Sequence, residues 1–217
     1  MTSKMYLVAA LALAAAPCFA STIAVTNFSF ETLPAGGLTT CGAGCAYDVG
    51  AIPGWSTTSG ATSGQIQPNA TQFPVLSDGI TSAFSTTAGS VISQTVGATV
   101  VMGEVYTLLI DLGQRLDGYG FAGTADLLIN GHTYAATGTA PVPGTWSTYT
   151  ATYTGLTADV GQSITIELKS SGVQANFDNV RMDGTLGQSG VPEPASFLLI
   201  GPALVALGLR MKRTARS

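Results

Sequence analysis

Ser163-Ile164-Thr165-Ile166-Glu167-Leu168-Lys169 alternates apolar and polar residues without a break. Side chains on a strand project to opposite faces with a period of two, so this stretch predicts a half-buried strand, one face on a core and the other in water. Outward from it, Asp126-Leu127-Leu128-Ile129 and His132-Thr133-Tyr134 flank Asn130-Gly131. Asn-Gly between apolar runs is the strongest short hairpin signal, because both residues accept the positive φ of a type I′ turn. Val105-Tyr106-Thr107-Leu108-Leu109-Ile110 is apolar on both sides, as a central strand covered on both faces would be. Further strands are expected at residues 23–30, 91–96, 146–153 and 175–182. No stretch between the chain ends keeps a helical period, and Gly- and Pro-containing turns recur at short intervals. The expected class is all-β, a jelly-roll β-sandwich.

Composition narrows the function. The chain has 217 residues, 46% hydrophobic and 9% charged, with net charge −4. That hydrophobic share excludes wholesale disorder, and the scarcity of Glu, Lys and Arg excludes a coiled coil. Residues 21–190 hold three basic residues against eleven acidic ones, a charge of −8. Such a surface repels phosphate backbones, so no nucleic-acid partner is expected.

The two ends read as addresses. Residues 1–20 have the layout of a signal peptide: Lys4, the apolar run Leu7 to Ala16, and the small-x-small site Cys18-Phe19-Ala20. At the other end, Val191-Pro192-Glu193-Pro194 precedes an apolar run (195–209) and a basic tail (210–217). These features resemble the PEP-CTERM sorting signal of Gram-negative bacteria, which implies an exosortase-type membrane protease as partner and cutting near the motif. Fifteen apolar residues span ~22 Å, short of the ~30 Å hydrocarbon core, so the transmembrane helix is a marginal anchor. The basic tail stays cytoplasmic by the positive-inside rule, which exports residues 21–190. A permanent tail anchor with the same orientation is the other reading. The expected localisation is inner membrane as precursor, then cell surface or extracellular.

Cys41 and Cys45 are the only cysteines after the signal. In an oxidising compartment an even pair is most simply a small-loop disulfide, with free thiols and a metal site as the other readings. Zinc would lack two of its four ligands there.

The body carries a second resemblance. Asn27-Phe28-Ser29-Phe30-Glu31, Ile52-Pro53-Gly54-Trp55 and Asn176-Phe177-Asp178-Asn179-Val180-Arg181 resemble the galactose-binding-like and carbohydrate-binding-module-like jelly rolls. The resemblance implies first and last strands that lie close together, and a structural calcium held by Glu31 and Asp178. It also implies glycan binding, although the chain has two tryptophans where such modules present several aromatics on one face.

Other motifs fall to their context. Gly118-Tyr119-Gly120-Phe121-Ala122-Gly123 spells a dinucleotide fingerprint, but a strand and hairpin follow it instead of the helix that would face a pyrophosphate. His132 is the only histidine, and no nucleophile elbow accompanies it. Asp111, Asp117 and Asp126 are the acids a glycosidase would use, although solvated loop acids are the ordinary reading. The expectation is therefore a non-catalytic envelope or biofilm-matrix protein, adhesive or associated with extracellular polysaccharide, with no catalytic residues and no identified ligand-binding residue. An envelope glycan hydrolase is the alternative.

Overall fold

The computed structural model describes residues 20–58 and 62–186. The signal segment up to Phe19, the sorting motif Val191, Pro192, Glu193 and Pro194, and the apolar run after it lie outside the described residues. Among the described residues no helix is long and apolar enough to cross a membrane.

The body, residues 20–187, is one compact unit, built as two β-sheets face to face. The larger sheet contains β1 (Ala20–Ile23), β2 (Thr39–Gly42), β3 (Cys45–Val49), β5 (Ser63–Gln67), β6 (Ser82–Ser85), β8 (Glu104–Gln114), β11 (Thr145–Thr154) and β13 (Ala175–Leu186). Its order is β11-β8-β13-β6-β5-β3-β2, with β1 also on β13. The smaller sheet contains β4 (Ser56–Thr57), β7 (Val91–Thr99), β9 (Gly123–Ile129), β10 (His132–Ala135) and β12 (Ser163–Ser170), in the order β10-β9-β12-β7-β4. All pairings are antiparallel. The all-β sandwich is thus present, with a single 3₁₀ turn at Thr157–Asp159 as its helical element among the described residues.

The alternation in the sequence sets the core. Ile164, Ile166 and Leu168 of β12 are fully buried against Leu108, Ile110 and Leu112 of β8, Leu127 of β9 and Phe177 of β13 in one cluster. Each such side chain stabilises by about 1.5–3 kcal/mol through loss of apolar surface to water. Asn130 and Gly131 carry φ of 49° and 77°, and the hairpin they close pairs His132 with Ile129. β8 is central, between β11 and β13, but Val105, Thr107 and Leu109 on its outer side are only half-buried.

One expected strand is a turn. Residues 27–30 fold back on themselves, with φ of 51° at Asn27 and 58° at Phe30, and the Phe30 N–H donates to Asn27 O at 3.2 Å. Asn tolerates that conformation, and Phe30 is held in it by complete burial beside Trp55, ring centroids 5.4 Å apart.

Candidate functional site

Cross-strand partners project from the same face of a sheet, so register alone assembles the surface that faces away from the core. One row runs Val49, Gly64, Phe84, Asn176, Gly113 and Trp146 across β3, β5, β6, β13, β8 and β11. The adjacent row carries Tyr47, Ile66 and Ser82 on one side, and Asp178, Asp111 and Thr148 on the other. This outer face of the larger sheet holds both a cavity and a cluster of buried carboxylates.

The cavity has a volume of about 410 Å³ and is lined by Tyr47, Ile66, Phe84, Arg115, Tyr119 and Gln174, with the Cys41–Cys45 pair, Val49, Thr62, Asn69, Gln72 and Thr86. Tyr47 stands edge-on to Phe84, centroids 6.3 Å apart, an arrangement that suits the quadrupoles of both rings. Arg115 lies 4.6 Å above the Tyr119 ring and is clamped by Asp117, with Nε donating to Oδ1 at 2.9 Å. The Arg115 guanidinium in turn holds the Asp117 carboxyl below the usual carboxylate range. Of the residues that spell the dinucleotide fingerprint, Gly118 to Ala122 lie in the loop between β8 and β9 that presents Tyr119, and Gly123 opens β9.

Cys41 and Cys45 are joined in a disulfide, Cα atoms 5.2 Å apart, across the β2–β3 hairpin, and they form one wall of the cavity. Closing a loop of this size stabilises by about 2 kcal/mol in the chain-entropy account. Cys41→Ser with Cys45→Ser should therefore lower the thermal midpoint measurably in oxidised protein, and a reductant should lower the parent to the same value. Parent and variant melting together under oxidising conditions would remove this contribution.

The carboxylates lie beneath the turn Ser77 to Thr81. Asp111, at 5% exposure, accepts hydrogen bonds from Ser77, Thr148, Asn179 (2.9 Å) and, at 3.5 Å, Arg181. Asp178 is fully buried and accepts N–H bonds from Asp78 at 2.9 Å and from its neighbour Asn179 at 2.8 Å. Burial pushes its carboxyl up to about 8, and the negative Asp78 and Asp111 add to the shift. A bulge in β13 between Asp178 and Arg181, with Asn179 at φ 51°, lets both Asp178 and Asn179 bear on this cluster.

Glu31 reaches the same turn from the other side. Its Oε1 accepts the N–H groups of Ile80 at 2.8 Å and Thr81 at 2.7 Å. Gly79 makes this approach feasible: its φ is +58°, and a Cβ there would lie 2.3 Å from Glu31 Oε1. The two acids singled out in the sequence thus meet on one turn. Asp117 and Asp126 stand elsewhere, Asp117 with Arg115 and Asp126 with Lys169 at 2.8 Å. His132 is exposed at the start of β10.

The HpiC1-like family model, described as HpiC1 cyclase, matches residues 21–183. A solved cyclase from Fischerella sp. TAU is similar at 20% identity and a TM-score of 0.64, covering 79% of this chain and 100% of that one. The Stig cyclase Fisc from Fischerella sp. TAU, solved in complex with (3Z)-3-(1-methyl-2-pyrrolidinylidene)-3H-indole, is similar at 21% identity and a TM-score of 0.63, covering 76% of this chain and 98% of that one. No curated protein matches this chain.

These findings correct the functional expectation. The family that matches three quarters of the chain is one of cyclases, so the non-catalytic adhesive, biofilm-matrix and carbohydrate-binding role is overturned, together with the expectation that no enzyme is present. The glycan hydrolase alternative gains nothing from the comparisons, and neither does the PEP-CTERM and exosortase reading of the tail. The physical reason for the error is that the outer-face cavity is assembled by strand pairing from residues distant in the chain, so no contiguous motif displays it.

Proposed function

This chain belongs to the HpiC1-like family, and on that premise we propose that it is a cyclase, built on a jelly-roll sandwich, which folds a small aromatic substrate inside the outer-face cavity and closes a ring within it. The carrying observation is the cavity itself. Its 410 Å³ lies in the range that takes a drug-sized molecule, and Tyr47, Phe84, Tyr119 and Ile66 give it aromatic and aliphatic walls. Intramolecular bond formation is limited by the entropy of bringing two parts of a flexible molecule to about 3–3.5 Å, and a shaped cavity supplies that ordering on binding. The π faces of the lining would also favour positive charge that develops as a ring closes.

The indole compound held by the Fischerella cyclase makes a suitable probe. Calorimetric titration of the protein with it should show saturable binding. Tyr47, 42% exposed, can be removed with little cost to folding, and Tyr47→Ala should weaken binding about tenfold through loss of one aromatic wall. Absence of saturable binding, or binding indifferent to Tyr47→Ala, would overturn this reading.

A structural calcium at Glu31 and Asp178 is part of the proposal. The donors fit a hard cation in kind: two carboxylates against one turn, of which buried Asp178 has no ion-pair partner among the described residues. No group of three His, Cys, Asp or Glu suited to a metal occurs among the described residues, so backbone and amide oxygens would complete the six or more ligands. The ion would neutralise Asp178 and tie the turn to β13. Calcium at a hundred times its Kd should stabilise the protein by about 2.7 kcal/mol, and a chelator should reverse this in the parent but not in Asp178→Asn. Identical melting curves with calcium and with chelator would reject the site.

A further inference from the structure

We propose that the loop tip at one end of the sandwich, made by residues 100–103 and 155–161, enters the apolar margin of a lipid bilayer, an inference independent of the cyclase reading. Val101, Met102, Leu156 and Val160 are 46–62% exposed on this tip. They come from two loops, one between β7 and β8 and one between β11 and β12, which are held as one piece. The Gly103 N–H donates to Gly155 O at 2.8 Å and the Gly155 N–H to Glu104 O at 2.8 Å. Val100 likewise donates to Gln162 O and accepts from the Gly161 N–H, both at 2.9 Å. Gly155 permits the approach, since a Cβ there would lie 2.0 Å from Val101 O. The Thr157 hydroxyl donates to Met102 Sδ at 3.4 Å and ties the two exposed runs together. Four large apolar side chains gathered on one rigid tip mark an interaction site.

Three observations favour lipid as the occupant. The first is that the tip already satisfies its own backbone, which a poorly hydrated layer demands. Besides the bonds between the loops, the Val101 N–H donates to Tyr106 Oη at 2.8 Å, the Leu156 N–H to Tyr153 Oη at 3.1 Å and the Asp159 N–H to Leu156 O at 3.0 Å. The second is charge. Residues 99–106 and 153–163 contain no Lys or Arg, and their two acids are engaged within the protein: Glu104 accepts the Tyr106 hydroxyl at 2.7 Å, and Asp159 accepts the Tyr153 hydroxyl at 2.6 Å and the Asn130 amide at 2.8 Å. Such a tip suits zwitterionic lipid, whereas the surplus of acids over residues 21–190 disfavours an anionic surface. The third is the path of the chain. β13 ends at Leu186, paired with Glu104 at this same end. The apolar run 195–209 begins nine positions later, at most about 30 Å along the chain, so a bilayer that takes the run lies within reach of the tip. Arg115 of the cavity follows Gln114 at the far end of β8, about 33 Å from Glu104 along the strand, which keeps the cavity clear of the lipid.

The test uses the full-length protein reconstituted into phosphatidylcholine vesicles whose acyl chains carry bromine, which quenches tryptophan only at close range. Met102→Trp should lose about half or more of the fluorescence it adds to that of the parent, because an interfacial side chain reaches the upper acyl chains. Val142→Trp should lose none: Val142 is equally exposed but lies in the loop before β11, whose Thr145 pairs with Gln114 at the other end of the sandwich. Leu156→Asp with Val160→Asp, added to Met102→Trp, should restore the lost signal, and both positions are exposed, so the thermal midpoint should stay at the parent value. Replacing about a quarter of the lipid with brominated phosphatidylglycerol should not deepen the quenching, since the tip has no basic residue to meet it. Absence of quenching at Met102→Trp, equal quenching at Val142→Trp, or quenching that requires the anionic lipid would overturn the proposal. Emission from Met102→Trp that shifts to the blue without vesicles as protein concentration rises would overturn it in favour of a second copy of the chain. The comparison of the two tryptophan positions does not depend on the aspartate variants folding.

Discussion

Metal-free protein should lose about 4 kcal/mol of stability between pH 5 and pH 8, and Asp178→Asn should abolish most of that loss. Asp178 titrates near 8 in the folded protein because its carboxyl is fully buried with Asp78 and Asp111 nearby, against an ordinary value of 3.8. Between these values the native state keeps a proton that the unfolded chain has released. The sign follows: stability is greatest below the unfolded value and falls as pH rises toward the folded one, by about 1.4 kcal/mol per unit. Asp117 and Asp159 act in the opposite sense, since their folded values are lowered, and their contribution is nearly complete by about pH 5. The window from 5 to 8 therefore isolates Asp178. For a domain of this size the thermal midpoint should drop by roughly 10 °C across it. With calcium present the slope should flatten, because a bound cation favours the ionised carboxylate. A parent that melts at one temperature from pH 5 to pH 8 in chelator would show that Asp178 is not held in its neutral form.

The same residue shows what the sequence displayed and what it concealed. Strict alternation over Ser163 to Lys169 and the Asn130-Gly131 turn reported the sandwich because each encodes its own local geometry, a period of two and a positive φ. The segment Asn27 to Phe30 misled, because apolar alternation there serves a turn whose Phe30 is buried beside Trp55. Glu31 and Asp178 were visible through short motifs, and they do meet on one turn. The cavity was not legible. Tyr47, Ile66, Phe84 and Gln174 come from three strands and the segment before a fourth, 127 positions apart at the extremes, and each alone is an ordinary strand or loop residue. Only the order β13-β6-β5-β3 makes them neighbours, and pairing order between distant strands leaves no periodic trace.

Gly113 joins these parts, and Gly113→Val should cost about 2–4 kcal/mol while also weakening the pH dependence of Asp178. Gly113 of β8 lies directly opposite Trp146 of β11, and the indole ring lies over the glycine: a Cβ there would meet ring carbons at 2.7–2.9 Å. The ring would have to lift. Trp146 stacks on Phe73 with centroids 4.7 Å apart, and its Nε1–H donates to Val75 O at 3.2 Å. Through these contacts it holds the segment that continues into Ser77 and Asp78, the residues covering Asp111 and Asp178. Overpacking costs about 1–3 kcal/mol, and the lost stacking and hydrogen bond add about 1 kcal/mol or more. A loosened turn admits water to Asp178 and moves its carboxyl back toward 3.8, so the variant should be less stable at pH 5 yet lose less on going to pH 8. The backbone at Gly113 is not in the left-handed region, so valine brings no strain of its own and the effect reports the ring alone. A Gly113→Val protein with the parent's pH slope would mean that Trp146 does not hold the turn over the carboxylates.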